Sequence, residues 1–222
     1  MKDEITSDLV QKDVPAAVIK RLPRYHRYLG ELIKSGKERI SSAELSHMMG
    51  VTASQIRQDL NCFGGFGQQG YGYPVRYVYD KISELLGTSE GYRAVIVGAG
   101  NLGRALLNNF NFSASGFELL CAFDASPELI GRSFGGYEVR DAKELERYID
   151  ELHPDVAVLT IPRGNAPAIA RSLVERGIRG LWNFTGEDLH LEGLGVPVEN
   201  VHLSDSLMTL CQLVGMAEEN ED

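Results

Sequence analysis

The stretch YRAVIVGAGNLGRALLNNF, residues 92–110, leaves a chain few folds to choose from. Ala94–Val97 is a short apolar run with the look of a buried strand, and Gly98-x-Gly100-x-x-Gly103 follows it into a helix. In such a loop the first glycine makes the turn and the second lets a pyrophosphate approach the backbone. The third lets helix and strand pack closely, while the helix N-terminus faces the anion. The candidate loop comprises Gly98, Ala99, Gly100, Asn101, Leu102 and Gly103. FELLCAFD supplies a second strand that ends at Asp124, 21 residues beyond Gly103, close to the spacing for an acid on a ribose 2′-hydroxyl. An acid there repels a 2′-phosphate, and the next arginine, Arg132, is eight residues on. NADH and NAD+ are therefore favoured over their 2′-phosphorylated counterparts.

Strand and helix keep alternating. VAVLTIP (residues 156–162) reads as a strand, NAPAIARSLVERG as a helix, IRGLWNF (178–184) as a strand and VHL (201–203) as a short last strand. This order specifies an α/β domain with a parallel, doubly wound sheet of Rossmann type. The turns at Thr160, Ile161 and Pro162 and at Asn183 and Phe184 should fall at its carboxyl edge, where a dinucleotide lies. Catalytic machinery is harder to find. After Gly91 the only lysine is Lys143, in an acidic helical stretch expected to lie well away from the glycine loop, and no Tyr-x-x-x-Lys pair occurs in that part of the chain. Binding without turnover is the simpler expectation, so the protein is not expected to be an enzyme.

The N-terminal third reads differently. Val18, Ile19, Leu22, Tyr25, Leu29, Leu32 and Ile33 recur at helical spacing, with Pro23 placed to kink or split the helix. Lys20, Arg21, Arg24 and Arg27 run along it, either as a solvated face or as phosphate contacts. In ISSAELSHMMGVTASQIRQDL, Ser41 or Ser42 caps a short helix, Gly50 ends it and Val51-Thr52 starts another. Two short helices joined by a glycine turn make a helix-turn-helix. On the second, Ala53, Ile56, Leu60 and Phe63 should pack inward, leaving Ser54, Arg57, Gln58 and Asn61 on the opposite stripe. Those side chains suit base edges and phosphates, and with Gln55 and Ser42 they form a candidate DNA-reading surface. Residues 64–73 then fit a β-wing, with Gly65, Phe66, Gly67, Gln68, Gln69, Gly70 and Tyr71 as candidate DNA contacts. VRYVYD (75–80) returns as the second wing strand or enters a helix toward Leu86. Residues 87–91 form a linker.

Charge follows the same division. The net charge is −9, yet residues 12–81 carry 11 Lys and Arg against 6 Asp and Glu, while residues 91–222 carry 10 against 20. A basic first domain can follow a phosphate backbone despite the acidic whole. The closing SDSLMTLCQLVGMAEENED reads as a helix that is apolar nearly all round. It must be buried, either on its own domain or in a partner subunit. Three isolated cysteines argue against a disulfide framework or a metal site. No apolar run approaches the ~20 residues that span a bilayer, and the N-terminus lacks a signal-peptide core, so a cytoplasmic location and no membrane partner are expected. The expected boundaries are 1–86, 87–203 and 204–222.

Together RQDLNCFGGFGQQGYGYPV, VIVGAGNLGRAL, LTIPRGNAPAIA, GIRGLWNFT and the terminal apolar helix resemble the Rex family of redox-sensing transcriptional repressors, from about Pro15 to Val214. The resemblance implies a homodimer with exchanged C-terminal helices, sheets that bind NADH or NAD+, and winged helices that grip a palindromic double-stranded operator when NADH is scarce. It puts Asp124 on the adenosine ribose. The sequence departs from the family pattern at three places. Gln58 stands where many members have lysine, which implies a shifted operator preference. Cys62 replaces a usual tyrosine. The inter-domain switch of the family joins an arginine, here Arg27, to an acid and a tyrosine; the matching positions hold His202 and Asn109, which points to a rewired triad with Asp205 as its acid. Two other readings compete: an NAD-dependent oxidoreductase, and a CoA-binding protein like the succinyl-CoA ligases, which TIPRGNAPAIARSLVERGIRGLWNFTGE also resembles.

Overall fold

The computed structural model describes residues 14–62, 64 and 71–219. The chain divides into two compact units between Ser89 and Glu90.

In the N-terminal unit the expected long helix is split into α1 (Ala16–Ile19) and α2 (Leu22–Lys34), and Pro23 occupies the first turn of α2, where its missing N–H costs nothing. β1 (Arg39–Ile40) leads into α3 (Ser42–Met49), capped by Ser41 in a reciprocal capping box with Glu44. Lys37 and the Ser41 groups hold the Glu44 carboxyl down at about 2. Gly50, at φ 62°, closes α3 in the left-handed conformation, and Thr52 caps α4 (Ala53–Asn61) by accepting the Gln55 N–H. β2 (Tyr73–Pro74) pairs antiparallel with β1, in register Ile40 to Tyr73. The VRYVYD stretch continues as helix: α5 spans Val75–Leu86. Leu22, Tyr25, Leu29, Leu45, Ile56, Leu60, Val75 and Ile82 form one buried core beneath these elements.

One member of α4 breaks the apolar pattern. Asp59 is 1% exposed. Arg21 Nε and Nη2 donate to its two oxygens at 2.8 and 2.7 Å, the Tyr25 hydroxyl donates at 2.9 Å, and Gln55 Nε2 donates at 2.8 Å. The network pins α4 against the α1–α2 corner. Burial alone would raise the Asp59 pKa, but the hydrogen bonds from Arg21, Gln55 and Tyr25 and the arginine charge outweigh it and hold the carboxyl below its ordinary range.

The C-terminal unit is built on β3 (Tyr92–Val97), α6 (Asn101–Asn109), β4 (Phe117–Asp124), β5 (Ser133–Phe134), β6 (Tyr137–Asp141), α7 (Leu145–Leu152), β7 (Val156–Leu159), α8 (Ala166–Glu175), β8 (Gly180–Asn183), β9 (Val198–Asn200) and α9 (Leu203–Glu219). The described strands form one sheet in the order β5-β6-β4-β3-β7-β8-β9, parallel except for β5 against β6. Alternate residues of the central strands feed two cores. Val95, Val97, Cys121 and Phe123 pack under α7 and α8, whereas Ala94, Ile96 and Ala122 pack with Leu107 of α6 and Phe112 on the other face.

Three sequence expectations need correction here. The last strand is Val198–Asn200 rather than residues 201–203. Its neighbour β8 ends at Asn183, whose carbonyl takes the Val201 N–H, so the ladder runs out there and Leu203 already begins α9. The strands β5 and β6 were not anticipated, because Glu138 and Arg140 interrupt the apolar pattern of YEVRD. The expected placement of Lys143 also fails, for a reason that follows from β6 and is given with the cleft below.

The loop glycines set the tightest packing. A Cβ on Gly103 would lie 2.0 Å from the Gly98 carbonyl oxygen, whereas one on Gly100 would meet nothing within 4 Å. Gly103→Ala is therefore expected to destabilise the C-terminal unit by about 1–3 kcal/mol, read as a lower melting temperature. Gly100→Ala should stay within about 1 kcal/mol of the parent. In the N-terminal unit the Asp59 pKa is depressed by folding. Its stabilisation is thus complete above the ordinary carboxylate range (~4) and lost as pH falls through the folded-state value. Urea midpoints for that unit should fall on acidification below about pH 4. Asp59→Asn should be about 1–3 kcal/mol less stable at pH 7 and should show a flatter acid limb.

Candidate nucleotide cleft and nucleic-acid interface

The sheet order reverses at β3. From β3 the chain winds through β4 to β6 on one side, then crosses to β7 and β8 on the other, so the loops after β3 and β7 diverge at their carboxyl ends. A cleft of about 1030 Å³ opens there. Crevices of this kind are where open α/β sheets take ligands.

Gly98, Gly100, Asp124, Thr160, Ile161 and Pro162 all line this cleft. Gly98 is at φ 103°, and a Cβ there would stand 2.7 Å from the Thr160 carbonyl oxygen, so the β3 and β7 loops touch through backbone. Thr160 Oγ1 strengthens the tie by donating to the Gly98 carbonyl at 2.6 Å. Asp124 reaches across from β4: its carboxylate accepts the Ala99 N–H at 2.6 Å and the Ser126 N–H at 2.8 Å. Ala99 is fully buried, while Asn101 and Leu102 are exposed in the first turn of α6 and Gly103 packs beneath. No side chain caps α6, whose N-terminus follows Gly100. Free first-turn N–H groups, a positive helix end and open space over Gly100 suit a phosphate group.

Asn183 and Phe184 lie elsewhere. Asn183 is fully buried; its Nδ2 donates to the Glu187 carbonyl and to Asn200 Oδ1, and its Oδ1 accepts from the Thr185 N–H and hydroxyl. It fastens the turn after β8 to β9. Phe184 packs edge-on against Trp182 at 4.6 Å. Lys143, by contrast, lines the cleft together with Gly98 and Gly100. Because β6 lies beside β4 and parallel to it, the segment after β6 emerges at the same sheet edge as the glycine loop. Recognising YEVRD as a strand would have placed this lysine.

On the N-terminal unit the α4 stripe of Ser54, Arg57, Gln58 and Asn61 is exposed as a row. Arg57 Nη1 donates to Ser42 Oγ at 3.2 Å, which ties the stripe to the start of α3. Arg24 Nη2 donates to the Met49 carbonyl at the end of α3. Two candidates are drawn inward: Gln55 is spent on Asp59, and Arg21 keeps only part of its guanidinium for solvent. At the wing base, Tyr71 is exposed and Arg39 donates to the Tyr71 and Gly72 carbonyls. Phe63, Gly65, Phe66, Gly67, Gln68, Gln69 and Gly70 lie outside the described residues. Of the switch candidates, Arg27 is exposed on α2 with its guanidinium 5.2 Å from the Tyr28 ring centre. Asn109, His202 and Asp205 are exposed in the other unit.

Comparison with known proteins agrees with this division. Residues 13–61 match a family described as "Putative DNA-binding protein N-terminus", and residues 89–186 match the "CoA binding domain". The chain is 50% identical over 207 residues to the "Redox-sensing transcriptional repressor Rex" of Clostridium beijerinckii, covering 93% of this chain and 98% of that protein. The like-named protein of Clostridium kluyveri is 50% identical over 208 residues, covering 94% and 99%. Among solved structures, RSP in complex with beta-NAD+ and operator DNA matches with TM-score 0.83 at 50% identity, covering 94% of this chain and 95% of that one. RSP in complex with beta-NADH matches with TM-score 0.84 at 47% identity, covering 94% and 97%. With an exposed polar stripe on α4 and a glycine-loop cleft on one chain, and half its residues shared across nearly the full length of these repressors, the protein belongs to the Rex family of redox-sensing transcriptional repressors.

Proposed function

We propose that this protein is a transcriptional repressor that grips operator DNA through its N-terminal unit and lets go when NADH fills the cleft of its C-terminal unit. The observation that carries this reading is the joining, in one chain, of the exposed α4 stripe to a phosphate-accepting cleft, in a family with members solved on NADH and on NAD+ with operator DNA. Bound there, a nicotinamide dinucleotide brings a ring that differs between its two forms by one positive charge.

The cleft residues have distinct tasks. Gly100 and the α6 N-terminus hold the pyrophosphate, Asp124 takes the adenosine ribose hydroxyls, and Thr160, Ile161 and Pro162 support the chain between them. Asp124 also braces the Ala99 N–H, so ribose binding and loop shape are linked through one carboxylate. On DNA, Arg57 reads guanine and Gln58 adenine in the major groove, with Ser54 and Asn61 beside them. Arg27, Asn109, His202 and Asp205 form the switch between the two activities. Lys143 in the cleft removes the sequence-based argument against turnover. The non-enzymatic reading now rests on the relatives, which are named repressors.

The working form is a homodimer that spans a palindromic operator. Leu207, Met208, Leu210, Leu213 and Val214 of α9 are all more than half exposed. The same unit carries an apolar groove of about 380 Å³ on the sheet face opposite α7 and α8, lined by Phe110, Phe112, Val158 and Trp182. Among the described residues, the only helix that contributes to the core on that face is α6. A helix without a bed and a bed without a helix fit an exchange between two copies.

Titrating operator against protein saturated with NADH is expected to show about 100-fold weaker binding than with NAD+, a difference of about 2.7 kcal/mol. Equal affinities would reject redox control. CoA should not compete for the cleft in calorimetry; competition would favour the CoA-binding reading. Leu210→Glu should convert the dimer to monomers in sedimentation and weaken operator binding at least tenfold, because a monomer grips only one half-site. A dimer that survives that change would place the interface elsewhere.

A further inference from the structure

Asp59 follows Gln58 in sequence yet turns away from the reading stripe into the core. Four donated hydrogen bonds reach it, and two come from a single guanidinium, that of Arg21. Arg21 sits at the corner between α1 and α2, with its side chain about one-third exposed. Its Nε and Nη2 edge is docked on the carboxylate. Nη1 makes no hydrogen bond among the described residues. Because a guanidinium is planar and rigid, docking one edge fixes where the remaining donors point. The pair is not simply neutral toward solvent. The anion lies inside, with Tyr25 and Gln55 sharing its oxygens, and the part that reaches solvent is cationic.

We propose that Asp59 is a positioning residue for operator binding: it holds Arg21 by one edge so that Nη1 clamps a backbone phosphate in fixed register with the α4 stripe. The inference rests on the operator-binding reading above. A phosphate is the fitting partner because Arg21 sits at the α1–α2 corner and not on the α4 stripe, and a guanidinium docked by one edge offers only a directional cation. Since Arg21 has already lost its rotamer freedom to Asp59, little further ordering opposes the contact. Arg24 and Arg57 are each held through single bonds to neutral oxygens, so neither is fixed in this way.

The test uses the full-length, NADH-free protein on an operator duplex that it has itself selected from a random library. Arg21→Gln is expected to weaken binding about tenfold and to lower the slope of log affinity against log salt by about one. The loss should be equal on operator and scrambled duplex, since a phosphate contact carries no sequence information. Arg21→Lys keeps the charge but cannot dock by one edge, and should lose affinity nearly as far. In duplexes with single methylphosphonate linkages, one position per half-site should weaken the parent and leave Arg21→Gln unaffected. Asp59→Asn should weaken binding several-fold, and its combination with Arg21→Gln should be no weaker than Arg21→Gln alone. If Asp59→Asn fails to fold, the two arginine variants decide, with a retained cooperative urea transition of the N-terminal unit as evidence that it is intact. Arg21→Gln within twofold of the parent at the same salt slope would overturn the clamp while leaving the repressor reading in place. A loss confined to the operator duplex would also overturn it, by making Arg21 a base reader. A parent that binds no duplex at all would sink both readings.

Discussion

The C-terminal unit depends on how closely three backbone segments meet at the carboxyl edge of its sheet. Gly98, Gly103 and Thr160 come together with no room for a side chain between the first two, and with a hydroxyl-to-carbonyl bond joining the third. That approach points the α6 N-terminus into the cleft and brings the β7 loop alongside. Asp124 completes the arrangement from β4 by bonding the Ala99 N–H. A loop fixed by backbone contacts on two sides and a carboxylate on the third is already shaped before a ligand arrives. Binding energy then goes into discriminating between ligands rather than ordering the site.

A net charge of −9 and a pI near 5.1 would ordinarily argue against a nucleic-acid partner. The distribution removes the conflict. Fields from exposed charges fade within about 8 Å at physiological salt, so the potential at α4 is set by charges close to it, among them the exposed Arg57 and Arg24.

Much of this was legible in the sequence, and the exceptions share a cause. The glycine loop and the helix caps are local signals, and Asp124 stands at a fixed count of 21 residues beyond Gly103. The failures depend on which partner a strand or side chain takes, which spacing alone does not give. Lys143 looked remote because its position depends on β6 pairing with β4, and β6 is a strand whose Glu138 and Arg140 hide its pattern. Asn183 looked like a cleft residue because it ends a strand, but its side chain is claimed by β9 through Asn200. Gln55 looked like a base reader because helical spacing says only which face is outward, not which long side chain bends back. Nothing local announces that Asp59, between Gln58 and Leu60, points inward; its partners Arg21 and Tyr25 lie more than thirty residues earlier.

Two features of the structure are poorly explained by stability alone. A buried ion pair in a small helical unit is commonly no better for stability than well-packed apolar residues of the same size. What Asp59 provides that a leucine would not is orientation, for Arg21 and for the pitch of α4 against α1 and α2. The apolar length of α9 is likewise unfavourable for an isolated chain, since it leaves large side chains in water. Both fit the proposed repressor dimer: there the exposed α9 would join two copies, and the buried Asp59 would keep each α4 from tilting, so that a change in the cleft would not be absorbed by a loose helix.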